Sequence, residues 1–167
     1  MGLAEVSTVL WHTRELLEQL LFKLEEEQLL LTAGRTRWLP HATREVELVL
    51  EQVRTAEVLR AAEVEAAAIE LGLRPGPSLR EIADAAPEPW NELLHGHREA
   101  FLALTQEISE LAQANRDVLS AGQKAAQEAL RSLAAEPAQT VGAGTYDPRG
   151  RTATTAGGRS HLLDEAL

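Results

Sequence analysis

Apolar residues return at alternating steps of three and four through most of the first 135 positions, and this spacing constrains the chain more than any other feature. In Leu3, Val6, Leu10, Thr13, Leu17, Leu20, Leu24, Glu27 and Leu31 the pattern holds for four heptads. A helix carrying such a stripe is stable when the stripe lies along a neighbouring helix. Leu16, Leu21, Leu29 and Leu30 widen it, so the first helix, expected over residues 3–32, serves two neighbours. Gly34 is placed to close it, because glycine takes the left-handed conformation cheaply.

A second helix is expected over 37–71. Its start falls between Thr36 and Pro40, since proline suits a first helical turn. Val46, Val49, Val53, Ala56 and either Leu59 or Arg60 carry its seam, with Leu50 and Val58 beside it. Beyond Ala61 the face is mostly alanine, which lets another backbone come close. Gly72 ends the helix, and Pro75-Gly76-Pro77 forces a loop. Ser78 and Glu81 have the spacing of a capping box, opening a short helix over 79–85. Pro87 and Pro89 then interrupt the chain.

The last helix is expected over 89–135, on the order of 65–70 Å at 1.5 Å per residue. Its seam is Leu94, His97, Phe101, Leu104, Ile108, Leu111, Asn115, Val118, Gly122 and Ala125. The two halves differ. Residues 90–111 contain eight large apolar side chains, whereas 112–135 contain four: Val118, Leu119, Leu130 and Leu133. The first half can be anchored on the other helices. The second is a good helix with little of its own to bury, a surface that a partner helix would complete. The expected fold is all-α: an elongated antiparallel three-helix bundle or coiled coil over 1–135, with a short inter-helix helix, followed by a tail over 136–167.

Composition fits this and narrows the function. Aromatics are only 4% of the chain, so Leu, Val and Ala make the core, as in long helices. The formal charge is −10; residues 1–135 hold 13 basic and 22 acidic side chains. An acidic surface repels phosphate backbones, which argues against nucleic-acid binding, and discourages self-association, so a monomer is the default. There is no cysteine, hence no disulfide or thiolate metal site. The N-terminus lacks a signal-peptide pattern. Val6 stands where a myristoylation motif wants Ser or Thr. No apolar run is long enough to span a bilayer, so the expected compartment is the cytoplasm, without stable membrane insertion.

The tail is Pro, Gly, Thr, Ala and Arg around Tyr146-Asp147-Pro148-Arg149-Gly150. Ordering 137–161 would cost about 1.5 kcal/mol per residue. Val141 and Tyr146 return about 2–3 kcal/mol each, so a disordered segment is expected. A lone aromatic there serves no core, and linear motifs bind by inserting such an anchor into a partner's pocket.

Signals for bond-making chemistry are weak. Glu92-Leu93-Leu94-His95 is a Glu-x-x-His, but helical di-iron sites need two such motifs and two more glutamates. None of His12, His41, His97 or His161 has Glu three positions earlier. Glu25-Glu26-Glu27 is expected as a solvated face, since acid–base work needs converging, shielded carboxylates. No nucleophile elbow or phosphate loop is present. The expectation is no enzyme, no metal and no cofactor. Asn115 in an apolar seam is open to two readings, a residue that fixes register or a contact to a bound helix. Trp11, Trp38 and Trp90 are expected as packing anchors at the ends of the helices.

Several ordered motifs carry a family resemblance. They are Leu20-Leu21-x-x-Leu24-x-x-Glu27-Gln28-x-Leu30-Leu31-x-x-Gly34, then Leu71-Gly72 and Ser78-Leu79-x-x-Ile82, then Leu111-x-x-x-Asn115-x-x-x-Leu119, and Tyr146 to Gly150. Together they resemble the FlgN family of flagellar type III export chaperones. That family often has a second asparagine three residues before the first; here the position is Ala112. The resemblance implies a chaperone for the hook–filament junction proteins FlgK and FlgL. It implies that the end of the last helix binds a helical client segment, through Asn115, Val118, Leu119, Gly122, Ala126, Leu130 and Leu133. It implies that Tyr146 and Gly150 dock on the export gate protein FlhA. A coiled-coil adaptor without an export role is the alternative.

Overall fold

The computed structural model describes residues 2–135. Their elements are α1 (Gly2–Thr32), a 3-10 turn (Thr36–Trp38), α2 (Leu39–Glu70), α3 (Leu79–Ala85) and α4 (Trp90–Ala135). The fold is all-α, with no strand among the described residues. The expected tail over 136–167 lies outside them. The chain divides into two compact units, Met1–Ala126 and Gln127–Leu167. The first holds α1, α2, α3 and α4 as far as Ala126; the described part of the second is the end of α4.

The long helices of the hairpin end in the same way. Arg35 N–H donates to Leu30 O (2.9 Å) and Gly34 N–H to Leu31 O (3.2 Å). Leu73 N–H likewise donates to Ala68 O (2.9 Å) and Gly72 N–H to Ile69 O (3.2 Å). These paired bonds satisfy the last carbonyls of a helix and require a left-handed residue just past it. Gly34 and Gly72 supply it, with φ of 64° and 67°. Pro40 sits in the first turn of α2. At α3 the capping box forms: Glu81 N–H donates to Ser78 Oγ (3.2 Å) and Ser78 N–H to Glu81 Oε2 (2.8 Å). Ser78 N–H and then Ser78 Oγ, both donating to Glu81 Oε2, with Arg74 beyond them, lower the Glu81 carboxyl from its ordinary value.

Cross-links fix the helix directions. Gly2 N–H donates to Glu70 Oε2 (3.0 Å), and Lys23 Nζ reaches Glu45 Oε2 (3.0 Å). Positions fall along α2 as they rise along α1, so the two are antiparallel. α4 runs with α1, because His97 meets Trp11 with ring centroids 4.8 Å apart while Asn115 bonds Leu24. α3 lets the chain return to start α4. Asn91 Nδ2 donates to Ala83 O (2.9 Å), and His95 Nε2 lies 2.9 Å from Asp84 Oδ1.

Two apolar clusters result. One joins Leu3, Val6 and Leu10 of α1 to Val64, Ala67 and Ala68 of α2, Ile82 of α3 and Leu94 of α4. The other joins Leu20 and Leu24 to Val46 and Val49, with Ile108 and Leu111 of α4 packed against them. Leu16 is buried while Leu17 is only partly so. On α2 the seam passes Arg60, and Leu59 is left 49% exposed. Trp90 packs on the first cluster, but Trp11 and Trp38 are half exposed and do not act as buried anchors.

Glycine substitutions at two places should have opposite signs. Gly34→Ala forces a side chain into the left-handed region and should cost about 1–2 kcal/mol. Gly96 lies inside α4 with open space where a Cβ would stand, so Gly96→Ala should add about 0.5–1 kcal/mol. Urea denaturation of both variants checks this.

Candidate partner-binding surface

Along α4 the seam is occupied from Leu94 to Asn115 and then stops. Leu94 and His97 are buried, Phe101, Leu104, Ile108, Leu111 and Ala112 are partly so, and Asn115 is 1% exposed. Every residue from Arg116 to Ala135 is exposed. Within the first unit these include Val118 (50%), Leu119 (38%), Gly122 and Ala126; in the second they include Leu130 (66%) and Leu133 (70%). Asn115 meets α1 a little more than one turn before that helix ends at Thr32, and the chain turns back at Gly34.

At the last occupied position the contact is polar. Asn115 Nδ2 donates to Leu24 O (2.9 Å) and to Glu27 Oε1 (3.1 Å). Thr43 Oγ1 donates to the other carboxylate oxygen, Glu27 Oε2 (3.1 Å). Glu27, on α1 and 5% exposed, is thus held by a neutral donor from α2 and another from α4. Burying a carboxylate is costly unless its oxygens are bonded, and here each oxygen has a partner.

Asn115, open to two readings from the sequence, is buried: its amide donor is spent on α1, and only its Oδ1 is without a partner among the described residues. One expectation changes. Glu27 does not belong to a solvated acidic face, although its neighbour Glu25 is exposed. The signal was in the heptads, where Glu27 and Asn115 both occupy seam positions; what spacing could not supply was that they meet.

His97 is a second buried polar residue, 2% exposed, with neither ring nitrogen bonded. It packs against Trp11 edge to face and beside Phe101. Burial pushes its pKa below the ordinary 6.5, and the Arg14 guanidinium adds to that. Trp11, Arg14, Pro89 and Leu93 wall a shallow groove of about 410 Å³ over it. Among the described residues no cluster of three or more His, Asp and Glu side chains converges as a metal would require. No helix among them is long and apolar enough to cross a membrane. Tyr146 and Gly150 lie outside the described residues.

The family model described as FlgN protein matches residues 1–154. No curated protein and no solved structure matches the chain.

Asn115→Ala takes a donor from a buried carboxylate and should cost about 1–3 kcal/mol. In a double-mutant cycle with Glu27→Ala the two losses should sum to more than the double variant's loss, because the residues share one bond.

The His97 effect has a defined sign. Its folded pKa lies below 6.5, so as pH falls through the ordinary value the unfolded chain takes up the proton first and stability drops. His97→Phe should flatten the fall in Tm between about pH 7 and pH 5.5, read by thermal denaturation at several pH values.

Proposed function

The chain belongs to the FlgN family, and on that premise we propose that it is a flagellar export chaperone whose clients are the hook–filament junction proteins FlgK and FlgL. The observation that supports this most is the exposure of α4 beyond Asn115, which includes the apolar side chains Val118, Leu119, Leu130 and Leu133. At 3.6 residues per turn, Val118, Leu119, Gly122, Ala126, Leu130 and Leu133 fall on the face that carries Asn115. A helical segment of the client lies along that face and continues the seam where α1 and α2 stop. Gly122 and Ala126 leave room for its larger side chains, and Leu119, Leu130 and Leu133 give it apolar contacts. Asn115 contributes by fixing the start of the strip rather than by touching the client.

The physics suits a carrier. A client helix that is covered in this way cannot use the same surface to assemble early. Tyr146 and Gly150 dock on the cytoplasmic part of FlhA. The work is done in the cytoplasm by a single copy of the chain, and release at the gate needs no cofactor held by this protein. The three long helices form a bundle, and α4 presents the client strip.

Replacing Val118, Leu119, Leu130 and Leu133 together by Ser should weaken FlgK and FlgL binding at least about a hundredfold, since each side chain returns roughly 1.5–3 kcal/mol when fully buried. Calorimetry measures this, with circular dichroism to show that helicity is kept. Tyr146→Ala, in parallel, should weaken binding to FlhA and leave client affinity unchanged. Hydrogen-exchange protection by client confined to residues 3–71 would overturn the assignment.

A further inference from the structure

Helix α2 buries one apolar face and leaves a second one in water. Leu48, Thr55, Leu59, Ala62, Ala66 and Ile69, with Gln52 between the first two, recur at alternating steps of four and three. All seven are exposed. Leu48 is 56%, Leu59 49% and Ile69 74% exposed, and Val58 beside them is 74% exposed. At 100° per residue this stripe lies on the side of α2 away from Val46, Val49, Val64 and Ala67, which are buried. Single exposed leucines are ordinary on any surface. A stripe kept in register for about three heptads is the pattern of a helix seam, and here α1 and α4 already occupy the other one.

Charge decides what fits it. The positions bordering the stripe carry Glu51 and Glu65 on one edge and Glu63 on the other, with Arg44 the basic residue at its start. Arg54 screens Glu51 through an exposed pair, and Glu65 accepts a bond from Gly76 N–H. A second copy laid antiparallel about the midpoint of the stripe would bring Glu51 against the other copy's Glu65. Like charges at these edge positions oppose pairing.

We propose that this face of α2 is a docking surface for an amphipathic helix of a different protein, one with an apolar three-four seam edged by lysine or arginine. The surface lies on a different helix from the α4 strip, and the two do not depend on each other. The apolar stripe supplies contact area and the bordering glutamates select the sign of the partner's edge charges.

The test uses two synthetic helical peptides about four heptads long, with the same Leu/Ala seam and either Lys or Glu at the edge positions. Fluorescence anisotropy measures their binding to the full chain. The Lys peptide should bind at least about tenfold more tightly than the Glu peptide, and Leu59→Gln with Ile69→Gln should weaken it by about tenfold or more. Those side chains are exposed, so the fold is retained, and both substitutions leave the charge unchanged. The chain has no cysteine, so a single one reports position. The Lys peptide should slow thiol labelling of Thr55→Cys and leave that of Ala121→Cys on α4 unaffected.

Equal binding of the two peptides would overturn the proposal. So would binding that ignores the Gln substitutions, which would place the peptide elsewhere on an acidic surface. Self-association in sedimentation equilibrium that Leu59→Gln abolishes would also overturn it, by showing that a second copy covers the face.

Discussion

One buried carboxylate ties the three long helices together. Glu27 of α1 takes one neutral donor from Thr43 of α2 and one from Asn115 of α4, and Asn115 also caps a second lone pair on the Leu24 carbonyl. Apolar contacts between these helices are slippery, because leucine against leucine fits almost equally well one turn further along. A carboxylate that must find both partners penalises every other register, at the cost of desolvation. The clamp also stands at a boundary. Before it every seam position of α4 is buried or partly buried, and after it every one is exposed. The same residue therefore sets the alignment of the helices and the place where packing within the protein ends.

Most of the architecture was legible because helix signals are local. The three-four repeats gave the helices, Gly34 and Gly72 gave their ends with the expected left-handed geometry, and Ser78 with Glu81 gave the cap of α3. The thinning of apolar side chains after Ala112 announced the exposed end of α4. What was not legible depends on how helices are rotated against one another. Arg60 took the seam side of α2 and Leu59 the outside, a difference of one position that propensity cannot decide. Asn115 offered two roles on equal terms until its donors were seen to point at α1. The half-exposed Trp11 was unexpected for a similar reason: it packs edge-on over His97 while its other side faces solvent.

Polar residues in the seam are not all alike. Thr13 satisfies itself by donating to Val9 O, four residues back on its own helix, so it is neutral between neighbours. Glu27 and Asn115 satisfy each other across helices and are selective. His97 has no hydrogen-bond partner among the described residues and packs between Trp11 and Phe101. These three solutions occupy successive levels along α1 and α4. The end near Trp11 is thus sensitive to protons, and the end near Glu27 to alignment.

The turn at Gly34 has a consequence for how such a chain can change over time. Because α4 advances beside α1, the length of the hairpin acts as a ruler that decides where coverage of α4 ceases. One added heptad in each arm would carry the turn roughly two helical turns further along, past Gly122, and lengthen the stretch of α4 that runs beside α1, with no change to α4 itself. Shortening the arms would bare Ile108 and Leu111 instead. Insertions and deletions near a single glycine, far from α4 in sequence, are therefore a direct way to lengthen or shorten the exposed stretch of α4.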